Sequence, residues 1–180
     1  MHNKVAELRQ DYSSRELTEE QVSPDAMAQF DLWFKEAVEC KLLEPNVMSL
    51  ATANATGKPS CRIVLLKGYD ERGFVFFTNY SSNKGTDMDE NPFAALTFLW
   101  LDMERQVRIE GSVEKIPETE SDIYFHSRPV GSQLGAWASP QSQPISKREL
   151  LDNAREFEQK YAGKEIPRPT YWGGYLVKPV

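Results

Sequence analysis

Between residues 47 and 115 the sequence consists of short β-branched and aromatic runs separated by turn residues, and this pattern restricts the possible folds more than any other feature. Such runs predict β-strands. The predicted strands are Val47 to Ala53, Cys61 to Lys67, Phe74 to Asn79, Phe93 to Trp100 and Arg105 to Lys115. Separators such as Asp70 to Gly73 are short enough for hairpins, so neighbouring strands are expected to run antiparallel. We therefore expect a small barrel or a curled sheet, because closure removes exposed edges.

Helical signals flank these strands. Ser23-Pro24-Asp25 supplies a cap residue, a proline suited to the first turn and an acid, and predicts a helix that starts here and ends near Leu42. Further helices are predicted within Ser81 to Pro92, over Glu118 to Ser127 with Pro129 as the stop, and from Ser146 to about Tyr161, followed by a last strand over Tyr171 to Lys178. The predicted fold class is α+β, an antiparallel barrel flanked by helices.

The length of 180 residues fits one domain. Residues 1–22 are polar and charge-rich without a clear period, and they predict a mobile N-terminal arm. No interdomain linker or internal repeat interrupts the remainder, so residues 23–180 are predicted to form a single domain.

Charge and hydropathy exclude several classes of function. The chain has 21 Lys and Arg residues against 27 Asp and Glu residues, a formal net charge of -6, whereas nucleic-acid binding usually needs a basic face. The longest apolar run, Phe93 to Leu101, is about half the ~20 residues that a membrane-spanning helix needs. The first residues lack the apolar stretch of a secretory signal, so a cytoplasmic protein is expected.

Few residues are available for a metal or a disulfide. Cys40 and Cys61 are the two cysteines of the sequence, and we expect free thiols that pack as small buried hydrophobes. With His2 and His126 as its two histidines, the sequence offers almost no ligands for zinc or non-haem iron. No metal site is expected.

Cationic and hydroxyl residues recur near the predicted strand ends. Arg62 and Lys67 lie on one predicted strand, where alternation points them to opposite faces; they are either surface cations or ligand contacts. Thr78 ends a strand and Ser81-Ser82-Asn83-Lys84 begins a helix, so hydroxyls, backbone N–H groups and an ammonium could converge on one anion. The alternative is an ordinary turn, because the pattern of a nucleotide-binding P-loop is absent.

A second group of residues suits another phosphate and a heterocycle. Tyr124 and Arg128 are four residues apart at the end of a predicted helix, with Ser132 beyond, and an arginine can bind phosphate as a planar fork. The helix macrodipole is an equal explanation for an arginine there. Between them in sequence, His126 is expected to be a packing or capping residue. Neutral hydrogen-bonding residues and one aromatic surface complete the set, at Gln106, Gln141, Ser142 and Trp172.

Longer segments of the sequence resemble the pyridoxine (pyridoxamine) 5'-phosphate oxidases, a family of FMN enzymes that make pyridoxal 5'-phosphate. The segments are Arg62-Ile63-Val64-Leu65-Leu66-Lys67-Gly68, Phe77-Thr78-Asn79, Asn91-Pro92-Phe93, Arg105-Gln106-Val107, Tyr124-Phe125-His126-Ser127-Arg128-Pro129, Ser132-Gln133, Gln141-Ser142 and Trp172-Gly173-Gly174. The resemblance implies a split β-barrel and a homodimer with FMN at the subunit interface. It also implies oxidation of pyridoxamine or pyridoxine 5'-phosphate with O2, which is reduced to H2O2.

The resemblance also assigns residues to two binding sites. Contacts to FMN are implied for Arg62, Ile63, Val64, Leu65, Leu66, Lys67, Phe77, Thr78, Lys84 and Gln106, with Gln141, Ser142 and Trp172 contributed by the other subunit. Contacts to the substrate are implied for Lys67, Tyr124, Arg128 and Ser132, which would hold its phosphate, and for Arg9 and Tyr12 in the arm. The flavin performs the chemistry, so no catalytic side chain is expected.

Two positions depart from the family pattern. Asn83 stands where the family usually has a second arginine for the FMN phosphate. The chain ends at Val180, whereas the family continues with another strand and an Arg-x-His-Asp-Arg type segment. A non-catalytic protein that binds FMN or pyridoxal phosphate is therefore the alternative function. A barrel that binds nucleic acid is a third hypothesis, which the acidic balance opposes.

Overall fold

The computed structural model describes Leu8 and residues 17–180. In chain order the elements are α1 (Ala26–Glu39), β1 (Val47–Ala53), β2 (Pro59–Leu65), β3 (Gly68–Asp70), β4 (Gly73–Asn79), α2 (Asn83–Glu90), β5 (Phe93–Trp100), β6 (Arg105–Lys115), α3 (Glu118–Ser127), α4 (Val130–Ala138), α5 (Lys147–Lys160) and β7 (Trp172–Pro179), with short 3-10 turns at Glu19–Gln21 and Leu101–Met103. Arg9 and Tyr12 lie outside the described residues, as does most of the arm predicted over residues 1–22. No helix of the described chain is both long and apolar enough to cross a membrane.

The seven strands form one sheet in the order β2-β1-β5-β6-β7-β4-β3. The pairs β1–β2, β1–β5, β3–β4, β4–β7 and β6–β7 are antiparallel. The two edge strands, β2 and β3, are separated in the chain by two residues, so their adjoining ends must lie close together. This arrangement confirms the predicted α+β class with an antiparallel sheet curled toward a barrel.

The structure divides into two compact units, of which the first holds the described residues up to Pro45 together with Phe98–Val107. In this unit α1 begins at its N-cap Asp25, whose side chain accepts hydrogen bonds from the backbone N–H groups of the first turn. The ring of Phe30 on α1 packs 5.3 Å from Phe98 and 6.2 Å from Trp100, measured between ring centroids. Aromatic packing therefore forms the core of this unit.

The second unit, Asn46–Thr97 with Arg108–Val180, contains most of the sheet and α2 to α5. Phe125, Ile166 and Trp172 form one of its buried clusters. Close packing explains the two glycines that follow Trp172: a Cβ on Gly173 would lie 2.1 Å from the Tyr80 hydroxyl, and one on Gly174 would overlap Ile116. The start of β7 is thus packed too tightly for larger side chains.

The structure corrects several local predictions. The first helix is capped by Asp25 rather than Ser23 and ends at Glu39 instead of near Leu42. Helix α4 is absent from the prediction, because there Pro129 is interpreted only as the end of the preceding helix. In the structure Pro129 is the N-cap of α4, a position where its missing N–H breaks no helical hydrogen bond. Cys40 and Cys61 are free, as predicted, but both are exposed rather than buried.

One strand-pairing prediction is also wrong. The pattern predicts a hairpin between the strands near Cys61 to Lys67 and Phe74 to Asn79, but the first ends at Leu65 and pairs with β1. The short strand β3 intervenes and pairs with β4 instead. Three residues are too few for the alternating pattern by which a strand is recognised from sequence.

Candidate active site

A cleft of about 850 Å³ lies in the second unit and brings together most of the residues that the sequence singled out. Its lining consists of Arg62, Ile63, Val64, Leu65, Lys67, Phe77, Thr78, Asn79, Lys84, Tyr124, Arg128, Pro129, Ser132, Gly135, Ala136, Ser139, Gln141, Ser142 and Trp172. The lining is drawn from β2, β4, α2, α3, α4 and β7 and from the loops beside them. Residues far apart in sequence thus share one site.

The first part of the site is the Lys84 cluster, which comprises Lys84, Thr78, Ser82 and Gln141. Lys84 is 7% exposed, and its ammonium donates hydrogen bonds to the hydroxyls of Thr78 at 3.3 Å and Ser82 at 3.2 Å, and to Gln141 Oε1 at 3.3 Å. These acceptors are neutral, and Lys84 forms no ion pair with a carboxylate of the described chain. Burial, and then the charge of Arg62, lowers the pKa of Lys84 to about 8.

The position of Lys84 follows from how α2 begins. Ser82 is the N-cap and its hydroxyl accepts a hydrogen bond from the Gly85 N–H. Gly85 packs against the backbone of Tyr80, and a Cβ at this position would lie 2.0 Å from the Tyr80 carbonyl oxygen. The first turn of α2 is therefore seated closely on the end of β4, which brings Lys84 beside Thr78.

Arg62 lies on β2 with its guanidinium directed back across β1. It donates hydrogen bonds to the Leu50 carbonyl at 3.2 Å and the Thr52 hydroxyl at 2.7 Å, and it also donates to the Ser60 hydroxyl. The prediction that Arg62 and Lys67 point to opposite faces is wrong, since β2 ends at Leu65 and the alternation does not reach Lys67. Both residues line the cleft.

The second part of the site is the Arg128 cluster, which comprises Arg128, Tyr124, Phe77 and Trp172. The rings of Phe77 and Tyr124 stack with centroids 3.9 Å apart, and the Arg128 guanidinium lies 4.6 Å from the Trp172 ring centroid. Arg128 Nη1 is buried and has no hydrogen-bond partner. Burial lowers the pKa of Arg128 from its usual value, and the nearby Tyr124 opposes this shift. Arginine remains protonated at any physiological pH, so Nη1 belongs to a charged group and is a buried donor without an acceptor.

The backbone around Arg128 differs from the prediction. Helix α3 ends at Ser127 and Arg128 is extended, so Tyr124 and Arg128 do not share a helix face although both line the cleft. Gln133 on α4 is 7% exposed and its amide donates to the carbonyl oxygens of Arg128 at 2.8 Å and His126 at 3.4 Å. The His126 Nε2 atom lies 3.1 Å from Glu165 Oε1, and the imidazole ring packs edge-on against the Phe125 ring.

Two of the predicted residues, Leu66 and Gln106, are not among those that line the cleft. Leu66 is buried in the core instead of lining it, and its backbone pairs with Asn46. Gln106 is exposed on β6 and belongs to the first unit. Gln141, which the resemblance assigns to FMN from the other subunit, lines the cleft of its own chain and accepts hydrogen bonds from Thr78 and Lys84. In the described part of the chain, no group of His, Cys, Asp and Glu is arranged to hold a metal ion.

Sequence reasoning missed four residues that support the site: Gln133, Thr52, Ser60 and Asp87. Gln133 is part of the Ser132-Gln133 segment, which carried the family resemblance without indicating a role. The other three come from β1, β2 and α2 and meet only in the folded chain. No local pattern in the sequence signals their contact.

Known proteins resemble this chain over most of its length. The family model described as pyridoxamine 5'-phosphate oxidase matches residues 34–158. A pyridoxine/pyridoxamine 5'-phosphate oxidase of Bordetella pertussis is 59% identical over 175 residues, covering 97% of this chain and 83% of the relative. One of a Cyanothece species is 54% identical over 176 residues, with coverage of 97% and 83%.

Solved structures show the same fold. PhzG of Burkholderia lata, solved with tetrahydrophenazine-1-carboxylic acid, superposes with a TM-score of 0.84 at 28% sequence identity. The match covers 91% of this chain and 82% of the PhzG chain. A pyridoxamine 5'-phosphate oxidase-related FMN binding protein of Nostoc punctiforme matches with a TM-score of 0.67 at 17% identity, with coverage of 88% and 84%, which bears on the fold alone. The expected split β-barrel is confirmed. By sequence and by fold, the chain belongs to the pyridoxine/pyridoxamine 5'-phosphate oxidase family.

Proposed function

We propose that this protein binds FMN and oxidises pyridoxamine 5'-phosphate or pyridoxine 5'-phosphate to pyridoxal 5'-phosphate, with O2 reduced to H2O2. One observation carries the proposal. A single cleft contains two cationic groups, the buried Lys84 and the partly buried Arg128, that form no ion pair with any carboxylate of the described chain. The acceptors of Lys84 are all neutral and Arg128 Nη1 has none, so an anion would compensate each charge better than the protein does alone. FMN and the substrate each carry one phosphate, so the ligands supply two anions for two cations.

The Lys84 cluster fits the FMN phosphate. Three donors converge on one oxygen, Gln141 Oε1: the Thr78 hydroxyl at 3.1 Å, the Asn79 N–H at 3.4 Å and the Lys84 ammonium at 3.3 Å. A phosphate oxygen accepts hydrogen bonds from the same donors and adds the negative charge that the amide lacks. We assign Lys84, Thr78 and Arg62 to this phosphate.

Apolar residues of β2 suit the flavin ring. Ile63, Val64 and Leu65 line the cleft, and the Ile63 side chain is 62% exposed although it is large and apolar. Burying such surface against a planar heterocycle is favourable by about 25 cal/mol per Å². The expected homodimer, with FMN at its interface, belongs to the same proposal and would cover more of this surface.

The Arg128 cluster fits the substrate phosphate. The guanidinium has an unused buried donor, and Tyr124, Ser132 and Lys67 line the same cleft with a phenol, a hydroxyl and an ammonium. Ser132 lies in the first turn of α4, where the positive end of the helix also favours an anion. We assign these four residues to the substrate.

FMN would supply the redox chemistry, accepting a hydride from the substrate and delivering the electrons to O2. The residues of the chain have another task. The two phosphate sites hold both ligands at points remote from the reacting atoms, so binding energy is used for orientation. No side chain has to act as a strong base in this scheme, in keeping with the expectation that the flavin performs the chemistry.

The test is a reconstitution of the 180-residue chain with FMN. We expect bound flavin, consumption of O2 and formation of pyridoxal 5'-phosphate and H2O2 when pyridoxamine 5'-phosphate is added. Pyridoxamine without its phosphate is the matched control and should react far more slowly, because it cannot use Arg128. Flavin binding without turnover would favour the non-catalytic alternative, and failure to bind FMN would overturn the proposal.

A further inference from the structure

Asp87 in α2 connects three elements of the second unit through one carboxylate oxygen. Its Oδ2 accepts hydrogen bonds from the Thr52 hydroxyl on β1 at 2.6 Å and from the Ser60 hydroxyl on β2 at 2.8 Å. Thr52 and Ser60 are direct partners in the β1–β2 ladder, so their side chains emerge side by side. Asp87 does not line the main cleft.

The same two hydroxyls accept hydrogen bonds from Arg62. Arg62 Nη1 donates to Thr52 Oγ1 and Nη2 donates to Ser60 Oγ, while Nη2 lies 3.7 Å from Asp87 Oδ2. A hydroxyl has a single proton, and here each one donates to Asp87 while accepting from Arg62. The direction of this network therefore depends on an acceptor at position 87.

The ionisation of Asp87 fits this arrangement. Burial alone raises the pKa of its carboxyl group, but the hydrogen bonds from Thr52 and Ser60 and the charge of Arg62 outweigh burial and lower the pKa. The carboxylate is thus ionised at neutral pH. The side chains of Arg62 and Asp87 are 19% and 16% exposed, so solvent screens their attraction only in part.

We propose that Asp87 is a positioning residue that holds the Arg62 guanidinium beside Lys84, so that both cations face the phosphate of FMN. Arg62 and Lys84 both line the cleft and carry like charges, which repel each other. An arginine side chain without a fixed partner would reduce this repulsion by turning toward solvent. Asp87 opposes that movement with its charge and with two hydroxyl links, so Arg62 is oriented before the flavin binds.

This inference rests on the proposed function, and a purely structural role is the competing explanation. Asp87 also attaches α2 to the β1–β2 hairpin, so its loss could lower the stability of the whole unit. The two roles differ in which ligand they affect. Riboflavin has the ring of FMN without the phosphate, and a residue that acts through Arg62 on the phosphate should not change riboflavin binding.

The experiment compares Asp87→Asn with the unaltered protein in binding FMN and riboflavin, each followed by quenching of flavin fluorescence. The amide retains an oxygen acceptor and nearly the same shape but removes the charge. We expect roughly tenfold weaker FMN binding, the effect of losing on the order of one charge-assisted interaction, and unchanged riboflavin binding. Asp87→Glu, which restores the carboxylate, should recover part of the FMN affinity.

A double-mutant comparison tests whether Arg62 is the intermediary. In an Arg62→Ala protein, Asp87→Asn should have little further effect on FMN affinity, since no guanidinium remains to be positioned. Asp89→Asn is the matched control: Asp89 lies on the same helix, its side chain is 51% exposed, and it pairs with Lys115 at 2.8 Å. It should leave both affinities unchanged.

Three results would overturn the inference. FMN binding that is unaffected by Asp87→Asn removes any positioning role. Equal weakening of FMN and riboflavin binding, with a lower melting temperature, reduces Asp87 to an attachment point for α2. Failure of the unaltered protein to bind FMN rejects the proposed function as well, and it is distinguished from the other two because no substitution is involved.

Discussion

The Arg128 guanidinium lies over the Trp172 ring, 4.6 Å from its centroid. Trp172 is 7% exposed and packs against Phe125, while the Phe77–Tyr124 stack lies alongside. A partly buried cation over an indole ring gains about 1–2 kcal/mol, yet Arg128 Nη1 has no hydrogen-bond acceptor. The contact therefore orients the guanidinium without saturating it, as a site for an incoming anion requires.

Replacing Arg128 by methionine should separate function from stability. Methionine fills similar space without a charge, and losing a bidentate phosphate contact should raise the KM for pyridoxamine 5'-phosphate on the order of 100-fold. The melting temperature of the ligand-free protein should change little, because removal of the unpaired buried donor offsets the loss of the contact with the Trp172 ring. Steady-state kinetics and thermal denaturation measure the two effects.

Arg128→Lys is the matched variant for that experiment. It retains the charge but loses the planar fork, so its KM should fall between those of the unaltered protein and of Arg128→Met. An unchanged KM in Arg128→Met would place the substrate phosphate elsewhere.

Gln133 does not line the cleft, but it should affect substrate binding through the backbone of Arg128. Its amide donates to the carbonyl oxygens of Arg128 and His126 and so fixes the segment between α3 and α4. In Gln133→Leu these part-buried carbonyls lose a partner at a cost of about 0.5–1.5 kcal/mol in stability. We expect a severalfold higher KM with an unchanged Kd for FMN, whereas Gln159→Leu on exposed α5 should alter neither constant. Equal losses of substrate and FMN affinity would point to general unfolding.

The sequence predicted those parts of the fold that depend on local signals. The β1–β2 hairpin and α5, with its Ser146–Glu149 capping box, form as the pattern predicts, although β2 begins and ends two residues earlier than expected. Helix α4 was missed because its proline boundary has two structural meanings, stop and start.

The residues of the candidate site also fall into those that local signals predict and those that only the folded chain brings together. The sequence indicates Lys84 and Arg128 as individual cations near element ends, and the structure adds that Lys84 and the Nη1 atom of Arg128 are buried without an acid beside them. The contacts of Asp87 with Thr52 and Ser60 span 35 and 27 residues of sequence. Such contacts follow from strand register and helix placement, which composition and periodicity do not encode.

FMN affinity should depend on pH through Lys84. With its pKa lowered to about 8, Lys84 in the ligand-free protein loses its proton as the pH rises past that value. The flavin phosphate is already a dianion there, its second pKa being about 6, and it binds best to the protonated ammonium. The Kd for FMN should therefore increase above pH 8, up to about tenfold per pH unit for one coupled proton.

The same shift has a definite sign for stability. Because the unfolded chain holds the Lys84 proton up to the ordinary lysine pKa of 10.5, the unfolded state binds more protons between about pH 8 and 10.5, so the ligand-free protein should gain stability from this group as pH rises through that window. Lys84→Met should abolish this component of both pH profiles. A Kd for FMN that remains flat to about pH 9.5 in the unaltered protein, well above the lowered pKa, would exclude Lys84 from the phosphate site.

The close approach of α2 to β4 gives a prediction with an internal control. A Cβ on Gly85 would lie 2.0 Å from the Tyr80 carbonyl oxygen, a backbone atom that cannot move away without shifting the strand end. Gly85→Ala should therefore displace the first turn of α2 and with it the Lys84 ammonium, despite the higher helix propensity of alanine. We expect a loss of about 1–3 kcal/mol in stability, as for overpacked core sites, together with weaker FMN binding.

Gly131→Ala in the first turn of α4 is the matched substitution, since a Cβ added at Gly131 would meet no atom within 4 Å. There alanine should be neutral or should stabilise the protein by up to about 1 kcal/mol. Urea denaturation and FMN titration of both variants measure the contrast. If Gly85→Ala were as stable as Gly131→Ala and bound FMN normally, the seating of α2 on Tyr80 would not be what positions Lys84.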